Sequence, residues 1–352
     1  LFWRKVELHK MKGALQMQNT NFQIYRHYIA LDWSMDCAAV ASMRDSANNP
    51  VVRMLPADTR SVKDYLKSLV GRKILTFEET TTAQWLYAEF RDYVDRIIVC
   101  DPFRNSLLKD GPKNDKIDAV KLCTLRRNNS LKEVYHTMDE AYEIRKLVSA
   151  YDDFVKASVR FKNQRSSLFR SEGRSSQKEE ILKGSSIKEF ISQTQVASIE
   201  HLDRIRKEFE SLFYEIRRRE DRVKLLTGIS GIGIIGAVKI YAVVIDPNRF
   251  ETKYKYWAYC GLAKHQKESG VQTYGLRRVR HNRVLKSVYR TSTITAVNGR
   301  NDIREYFDHL LENNYNIYDA RNEVARYTAT STLAMMKHKT EYRAYQWRET
   351  KS

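Results

Sequence analysis

The chain has 352 residues, of which 42% are hydrophobic and 11% aromatic, so it can fill the cores of two or three domains and is not a disordered tail. Its 62 Lys and Arg residues against 43 Asp and Glu residues give a formal charge of +19, which favours a polyanionic partner, with nucleic acid as the leading candidate. The basic residues are spread along the whole chain, which argues against a membrane surface. The alternative is a basic protein that has no polyanionic partner.

The cysteines and the apolar runs indicate an intracellular, cytoplasmic protein. No C-x-x-C pair occurs, so neither a zinc cluster nor a disulfide framework is expected. The longest apolar run, residues 229–245, is short for a membrane span and is interrupted by Lys239. Residues 1–24 are interpreted as a basic leader. They lack the continuous apolar core of a secretory signal, so we do not expect them to be one.

The first part of the chain alternates predicted strands and helices. Residues 28–40, YIALDWSMDCAAV, predict one buried strand with the polar Asp32 at its middle. Residues 73–77 predict a second strand that runs directly into Glu78, and residues 96–100 predict a third. Helical patterns at 61–69 and 83–93 separate these strands. This alternation predicts an α/β domain over residues 25–136.

The residue composition and pattern change in the middle of the chain. Gly and Pro become rare, charges of both signs intersperse, and apolar residues recur at helical spacing over residues 137–223. We predict a long antiparallel helical pair there, with its turn region near residues 173–176 and 184–186. Residues 224–352 predict a third, mainly α domain that opens with a Gly-rich turn and ends in a helix over residues 319–337.

Acidic residues in the first domain form a candidate metal site. An acid inside an apolar strand, such as Asp32, costs several kcal/mol of desolvation unless a partner such as a divalent cation compensates it. Glu78 follows a second strand, and Asp115 and Asp118 lie three residues apart at a helix start, on one side of its first turns. Together these acids provide enough oxygen ligands for two Mg²⁺ ions about 4 Å apart, a pair that clamps the attacking and leaving oxygens of a phosphodiester.

Each acid also has an ordinary structural explanation. Asp115 is a plausible helix cap, Asp118 a solvated acid favoured by the helix dipole, and Glu78 a loop acid. The set argues more strongly for a metal site than any single member does.

The C-terminal part carries candidate nucleic-acid contacts. The turn GISGIG, with Gly231 and Gly233, is of the helix-hairpin-helix type that brings backbone N–H groups to a phosphate, although a tight turn between packed helices explains it equally well. Ser269 precedes Gly270 in a polar, basic stretch that we predict to be a loop. A serine there is usually a turn residue, but an activated serine oxygen attacks phosphorus and nearby cations stabilise the resulting charge. The candidate cationic contacts are Lys264, Lys267, Arg277, Arg278, Arg280 and Arg283.

Taken together, these motifs resemble the DEDD transposase family, which includes the Piv pilin-gene invertase. The resemblance runs in order through YIALDWS, EET at 78–80, KNDKIDA at 113–119, the long helical insert, SGIG, RF at 249–250, AYCGL at 258–262 and the Ser-Gly pair at 269–270. The sequence departs from the family pattern at Thr81, Lys264 and His281, which indicates a divergent member.

The resemblance implies an RNase H-like, RuvC-like fold for the α/β domain, with Asp32, Glu78, Asp115 and Asp118 as Mg²⁺ ligands and Mn²⁺ able to substitute. It implies that Ser269 attacks DNA and forms a phosphoserine link. It further implies a homo-oligomer, a dimer or tetramer, that acts on DNA of a mobile element in a prokaryotic cell and, in some members, is guided by a structured RNA.

Two other functions fit the same residues. A hydrolytic nuclease such as a junction resolvase would use the carboxylates to activate water, with Ser269 incidental. A nucleic-acid-binding relative without catalysis would keep the basic surfaces alone, but the intact acids and Ser269 argue against it.

Overall fold

The computed structural model describes residues 25–103, 114–137, 141–178, 180–269, 272–278 and 280–344. The predicted leader lies outside the described residues. The chain divides into two compact units, Leu1–Met138 and Asp139–Ser352. The first is mixed α/β and the second is mainly helical, which confirms the predicted classes. The predicted division near residue 223 stays a prediction.

The first unit is built on one six-stranded sheet. Its strands are β1 (His27–Trp33), β2 (Cys37–Arg44), β3 (Val51–Pro56), β4 (Lys73–Glu78), β5 (Arg96–Cys100) and β6 (Glu133–Val134), and its helices are α1 (Thr59–Ser68), α2 (Ala83–Phe90) and α3 (Asp115–Arg127). The strand order is β3-β2-β1-β4-β5-β6. β1, β4 and β5 run parallel, and the other pairings are antiparallel.

Helices cover both faces of this sheet. On one face Leu31 and Phe77 pack with Leu66 of α1 and Phe90 of α2. On the other face the small residues of β1 and β2 leave room for α3, whose buried side packs against them; this second cluster includes Ala30, Ala39, Ala41, Ala119, Leu122 and Cys123. Alternate residues of β1 therefore belong to different cores, as strand geometry requires.

The single strand predicted over residues 28–40 was wrong, because the chain reverses within it. The Ser34 hydroxyl donates to the Cys37 carbonyl at 2.8 Å, and the Cys37 amide donates back to the same hydroxyl at 3.1 Å. Ala30 then lies opposite Ala41 in an antiparallel pair. Apolar residues flank this short turn on both sides, so hydrophobicity alone does not predict it.

Two long helices open the second unit, α4 (Ala141–Ser171) and α5 (Ser186–Arg219). Tyr151 donates to Glu210 at 3.1 Å, whereas Lys188 bonds Glu172 at 2.7 Å. Early residues of one helix thus contact late residues of the other, so the pair is antiparallel, as the spacing of apolar residues predicts.

In the described part of the second unit, the remaining elements are helices and one β-hairpin. Its elements are α6 (Asp221–Leu226), α7 (Ile234–Val244), α8 (Lys253–Tyr259), β7 (Lys264–Ser269), β8 (Gln272–Arg278), α9 (Arg283–Val297), α10 (Asp302–Glu312) and α11 (Ile317–His338). The buried hydroxyls of Tyr256, Tyr289 and Thr332 form a continuous hydrogen-bonded chain, with O–O distances of 2.6 and 2.7 Å, that links α8, α9 and α11.

The loop predicted around Ser269 was also wrong in its secondary structure. β7 and β8 pair antiparallel from Lys264 opposite Arg278 to Ser269 opposite Gln272. Backbone hydrogen bonds form this hairpin without the apolar alternation that usually marks a strand. Within the described residues, no helix is long and apolar enough to cross a membrane.

Candidate active site

Asp32 and Glu78 lie on neighbouring parallel strands. β1 and β4 pair from His27 opposite Lys73 to Ala30 opposite Thr76. Continuing that register by two residues places Asp32 level with Glu78. Because side chains alternate along a strand, both acids share the face that carries Ala30, the face covered by α3.

α3 brings two more acids to this face. The Asn114 side chain accepts a hydrogen bond from the Lys116 amide at 2.9 Å and caps the helix, which begins at Asp115. Asp115 and Asp118 lie in the first turn, and Asp118 precedes the buried Ala119 that packs on the sheet. The positive end of the helix dipole favours negative charge at this position.

Glu78, Asp115 and Asp118 are all close enough to Asp32 to act on it electrostatically. Burial, and then repulsion from Asp115, Asp118 and Glu78, raise the pKa of Asp32 to about 6. Lys121 offsets part of this negative charge, since its Nζ lies 3.7 Å from the Asp118 Oδ1. The structure therefore brings together all four predicted acids, from three separate segments of the chain.

The residue types suit a divalent cation. All four donors are carboxylates, the hard oxygen ligands that Mg²⁺ prefers. The Asp118 Oδ1 is buried without a hydrogen-bond partner, and a cation would satisfy it. In their present positions, no group of three or more His, Cys, Asp or Glu side chains among the described residues could hold a metal ion. Asp115 is exposed, so its side chain can change rotamer at little cost.

A second polar cluster, absent from the sequence predictions, holds the chain that follows Glu78. The Glu79 carboxylate pairs with His136 Nε2, and His136 Nδ1 lies 2.7 Å from the Gln84 Oε1. Gln84 also donates to the Thr137 carbonyl at 2.8 Å. The His136 side chain is only 6% exposed. His136 and Thr137 lie far from Glu79 and Gln84 in sequence, so the second acid of E-E-T was the only signal in the sequence for this cluster.

Ser269 occupies the last position of β7, in backbone register with Gln272. Its side chain, Gly270, and the side chains of Lys264, Lys267, Arg277 and Arg278 lie outside the described residues. Arg280 and Arg283 are exposed, and Arg283 is the first residue of α9. The hairpin and the start of α9 thus carry the candidate serine and the predicted cations on one continuous segment.

The two glycines of the predicted phosphate-binding turn have different roles. Gly231 has a φ of +88°, and a Cβ there would clash with the Ser292 carbonyl oxygen and come within 2.9 Å of the Ala296 Cβ. Close packing against α9 explains this glycine. Gly233 is exposed at the start of α7, and no atom lies within 4 Å of an added Cβ, so close packing does not explain this glycine.

Comparison with known proteins adds a family resemblance to this geometry. Residues 223–308 match the model of the Transposase IS116/IS110/IS902 family. The match extends from α6 into α10 and contains Ser269, Arg280 and Arg283, but none of the four acids. No curated protein matches the chain.

Proposed function

We propose that this chain is a transposase of a mobile element that cuts and rejoins DNA strands through a metal-binding carboxylate site and a serine nucleophile. The observation that carries the proposal is the convergence of four acids on the sheet face covered by α3, near the ends of β1 and β4: Asp32, Glu78, Asp115 and Asp118. In the same chain, residues 223–308 match a transposase family. The charge of +19 suits a polyanionic substrate.

In this proposal the first unit is RNase H-like and binds Mg²⁺, with Mn²⁺ as a substitute. Asp32 and Glu78 hold the cation from the sheet, and Asp115 and Asp118 hold it from α3. When bound, Mg²⁺ supplies the positive charge that stabilises a phosphodiester under attack. The sheet fixes two of the ligands rigidly, whereas the exposed Asp115 adapts to the bound substrate.

Ser269 is the proposed nucleophile. Its Oγ forms a bond to phosphorus as the bond from phosphorus to a deoxyribose oxygen breaks; the serine loses its proton and the leaving oxygen gains one. A hydroxyl of another strand then displaces the serine in the reverse reaction. One phosphodiester replaces another, so rejoining needs no ATP. Cations such as Arg280 and Arg283 stabilise the charge on the phosphate.

A covalent-adduct assay separates this mechanism from hydrolysis. We expect Ser269→Ala to abolish both the denaturation-resistant protein–DNA adduct and the joined products, and Asp32→Ala to do the same. Ser287→Ala is the matched control, since Ser287 is an exposed serine within the same matched segment. A Ser269→Ala protein that still joins strands would refute the serine mechanism. Free ends that are unaffected by Ser269→Ala would instead establish a hydrolytic nuclease.

We further propose that the protein acts in the cytoplasm as a homo-oligomer, a dimer or tetramer, with a structured guide RNA. The RNA is supported by the motif resemblance and by the excess of basic residues. Sequencing the RNA that remains on protein purified from cells carrying its native flanking DNA tests the guide, and light scattering tests the oligomer. A single RNA at stoichiometric level is expected, and its absence would favour recognition of DNA by the protein itself.

A further inference from the structure

An open cleft of about 870 Å³ in the second unit brings together cations that the sequence predictions did not include. It lies where α5 ends, along α6, and beside the residues that follow α11. Five basic side chains line it: Arg217, Arg219, Arg222, Lys224 and Lys339. Four of them are exposed, and Arg222 is half-buried.

These five cations differ in their partners from three other surface cations of this unit. Lys146, Lys156 and Lys255 each pair with an acid one helical turn away. In contrast, none of the five cleft cations lies within 4.0 Å of a carboxylate in the described part of the chain. Their side-chain contacts are uncharged: Arg222 donates to the Ile245 carbonyl at 3.3 Å, and Arg217 to the Thr227 hydroxyl at 3.4 Å.

The cleft keeps an excess of positive charge. Glu220, Asp221 and Glu341 also line it, but they are fewer than the cations. Like charges brought together repel one another, and this repulsion is relieved when an anion binds between them. An open cleft with several separate cations suits an extended anion better than a single small one.

We propose that this cleft binds the phosphodiester backbone of a nucleic acid. The identity of the anion rests on the proposed function, whereas the site itself rests on the unpaired cations. Guanidinium groups bind phosphate oxygens through two parallel hydrogen bonds, which holds a backbone without reading its bases. The cleft therefore positions nucleic acid and contributes affinity that is independent of sequence.

The test is the salt dependence of binding. The variant Arg217→Gln/Arg219→Gln/Lys224→Gln removes three exposed cations, and the control Lys146→Gln/Lys156→Gln/Lys255→Gln removes three that are already paired. Binding of a fluorescent DNA duplex and of a structured RNA is measured by anisotropy at several salt concentrations. We expect the slope of log K against log salt to fall by about 2.7 for duplex DNA, or about 2 for single-stranded regions, and less in the control.

Each outcome is decisive. If the triple variant lowers the slope of log K against log salt for only one ligand, that nucleic acid is the occupant of the cleft. If it lowers the slope for both ligands, the cleft accepts either backbone. A slope equal to that of the control, or wild-type protein that binds neither ligand, overturns the proposal. If the triple variant melts at a lower temperature than wild type, the single variant Arg217→Gln replaces it. Its expected fall in the slope of log K against log salt is about 0.9 for duplex DNA or about 0.7 for single strands. A protein that forms Ser269 adducts without any slope change refutes the cleft and leaves the proposed function intact.

Discussion

Replacing Asp32 by Asn should stabilise the protein when metal is removed. Burial and the neighbouring acids raise the pKa of Asp32 from 3.8 to about 6. A shift of two units corresponds to about 3 kcal/mol, which we halve to about 1.5 kcal/mol because the side chain is only half-buried. Since the folded pKa exceeds the unfolded one, proton binding by Asp32 stabilises wild type fully below about pH 4, and this contribution is lost as pH rises through about 6. The advantage of Asp32→Asn therefore appears as pH rises.

Urea unfolding in EDTA measures the effect. The stability of Asp32→Asn relative to wild type should increase by about 1.5 kcal/mol between about pH 4 and about pH 7.5. Saturating Mg²⁺ should then stabilise wild type, by about 2.7 kcal/mol at a hundred times its Kd, but not the variant. The control Asp36→Asn changes an exposed acid in the neighbouring turn and should do neither. A pH-independent difference, or equal stabilisation of both proteins by Mg²⁺, would refute the reasoning.

Two further predictions use matched pairs of residues. His136→Ala and His27→Ala each remove a nearly buried imidazole from the first unit and should each cost about 1–3 kcal/mol in urea unfolding. Only His136→Ala should also weaken Mg²⁺ binding, by about 10- to 100-fold in calorimetry, because His136 holds Glu79 next to Glu78, whereas His27 bonds the Val70 carbonyl at the opposite end of β1. Equal Mg²⁺ affinities of the two variants would rule out a positioning role for His136. Gly231→Ala should destabilise the protein by at least about 2 kcal/mol, whereas Gly233→Ala should change its stability by less than about 1 kcal/mol and weaken nucleic-acid binding instead; equal melting temperatures would contradict the packing explanation.

Hydrophobic spacing predicted the elements that bury one clear face. The helical pair, the strands at 73–77 and 96–100, and the helices around them follow from local patterns of apolar residues. The β1–β2 hairpin did not, because the apolar residues on both sides of Ser34 read as one run. The β7–β8 hairpin did not either, because its pairing depends on backbone hydrogen bonds between polar strands.

The candidate site was predictable in part for a related reason. In the sequence, Asp32 stands out as an acid inside an apolar run and Glu78 as an acid that directly follows one. Asp115 and Asp118 stand out as a helical pair. Their convergence required the sheet register and the docking of α3, which no local pattern contains. The pairing of Glu79 with His136 and the grouping of cations around the cleft are likewise consequences of tertiary structure.

The order of strands in the sheet has a kinetic consequence. β1, β2 and β3 are neighbours in sequence and pair by short turns, so they can form early. Asp32 meets Glu78 only after β4 has crossed over to pair with β1, and meets Asp115 and Asp118 only when α3 docks from far downstream. If the acids converge after the rate-limiting step, their repulsion accelerates unfolding and leaves the folding rate nearly unchanged. A bound divalent cation would then lower the unfolding rate of the protein and leave its folding rate nearly unchanged.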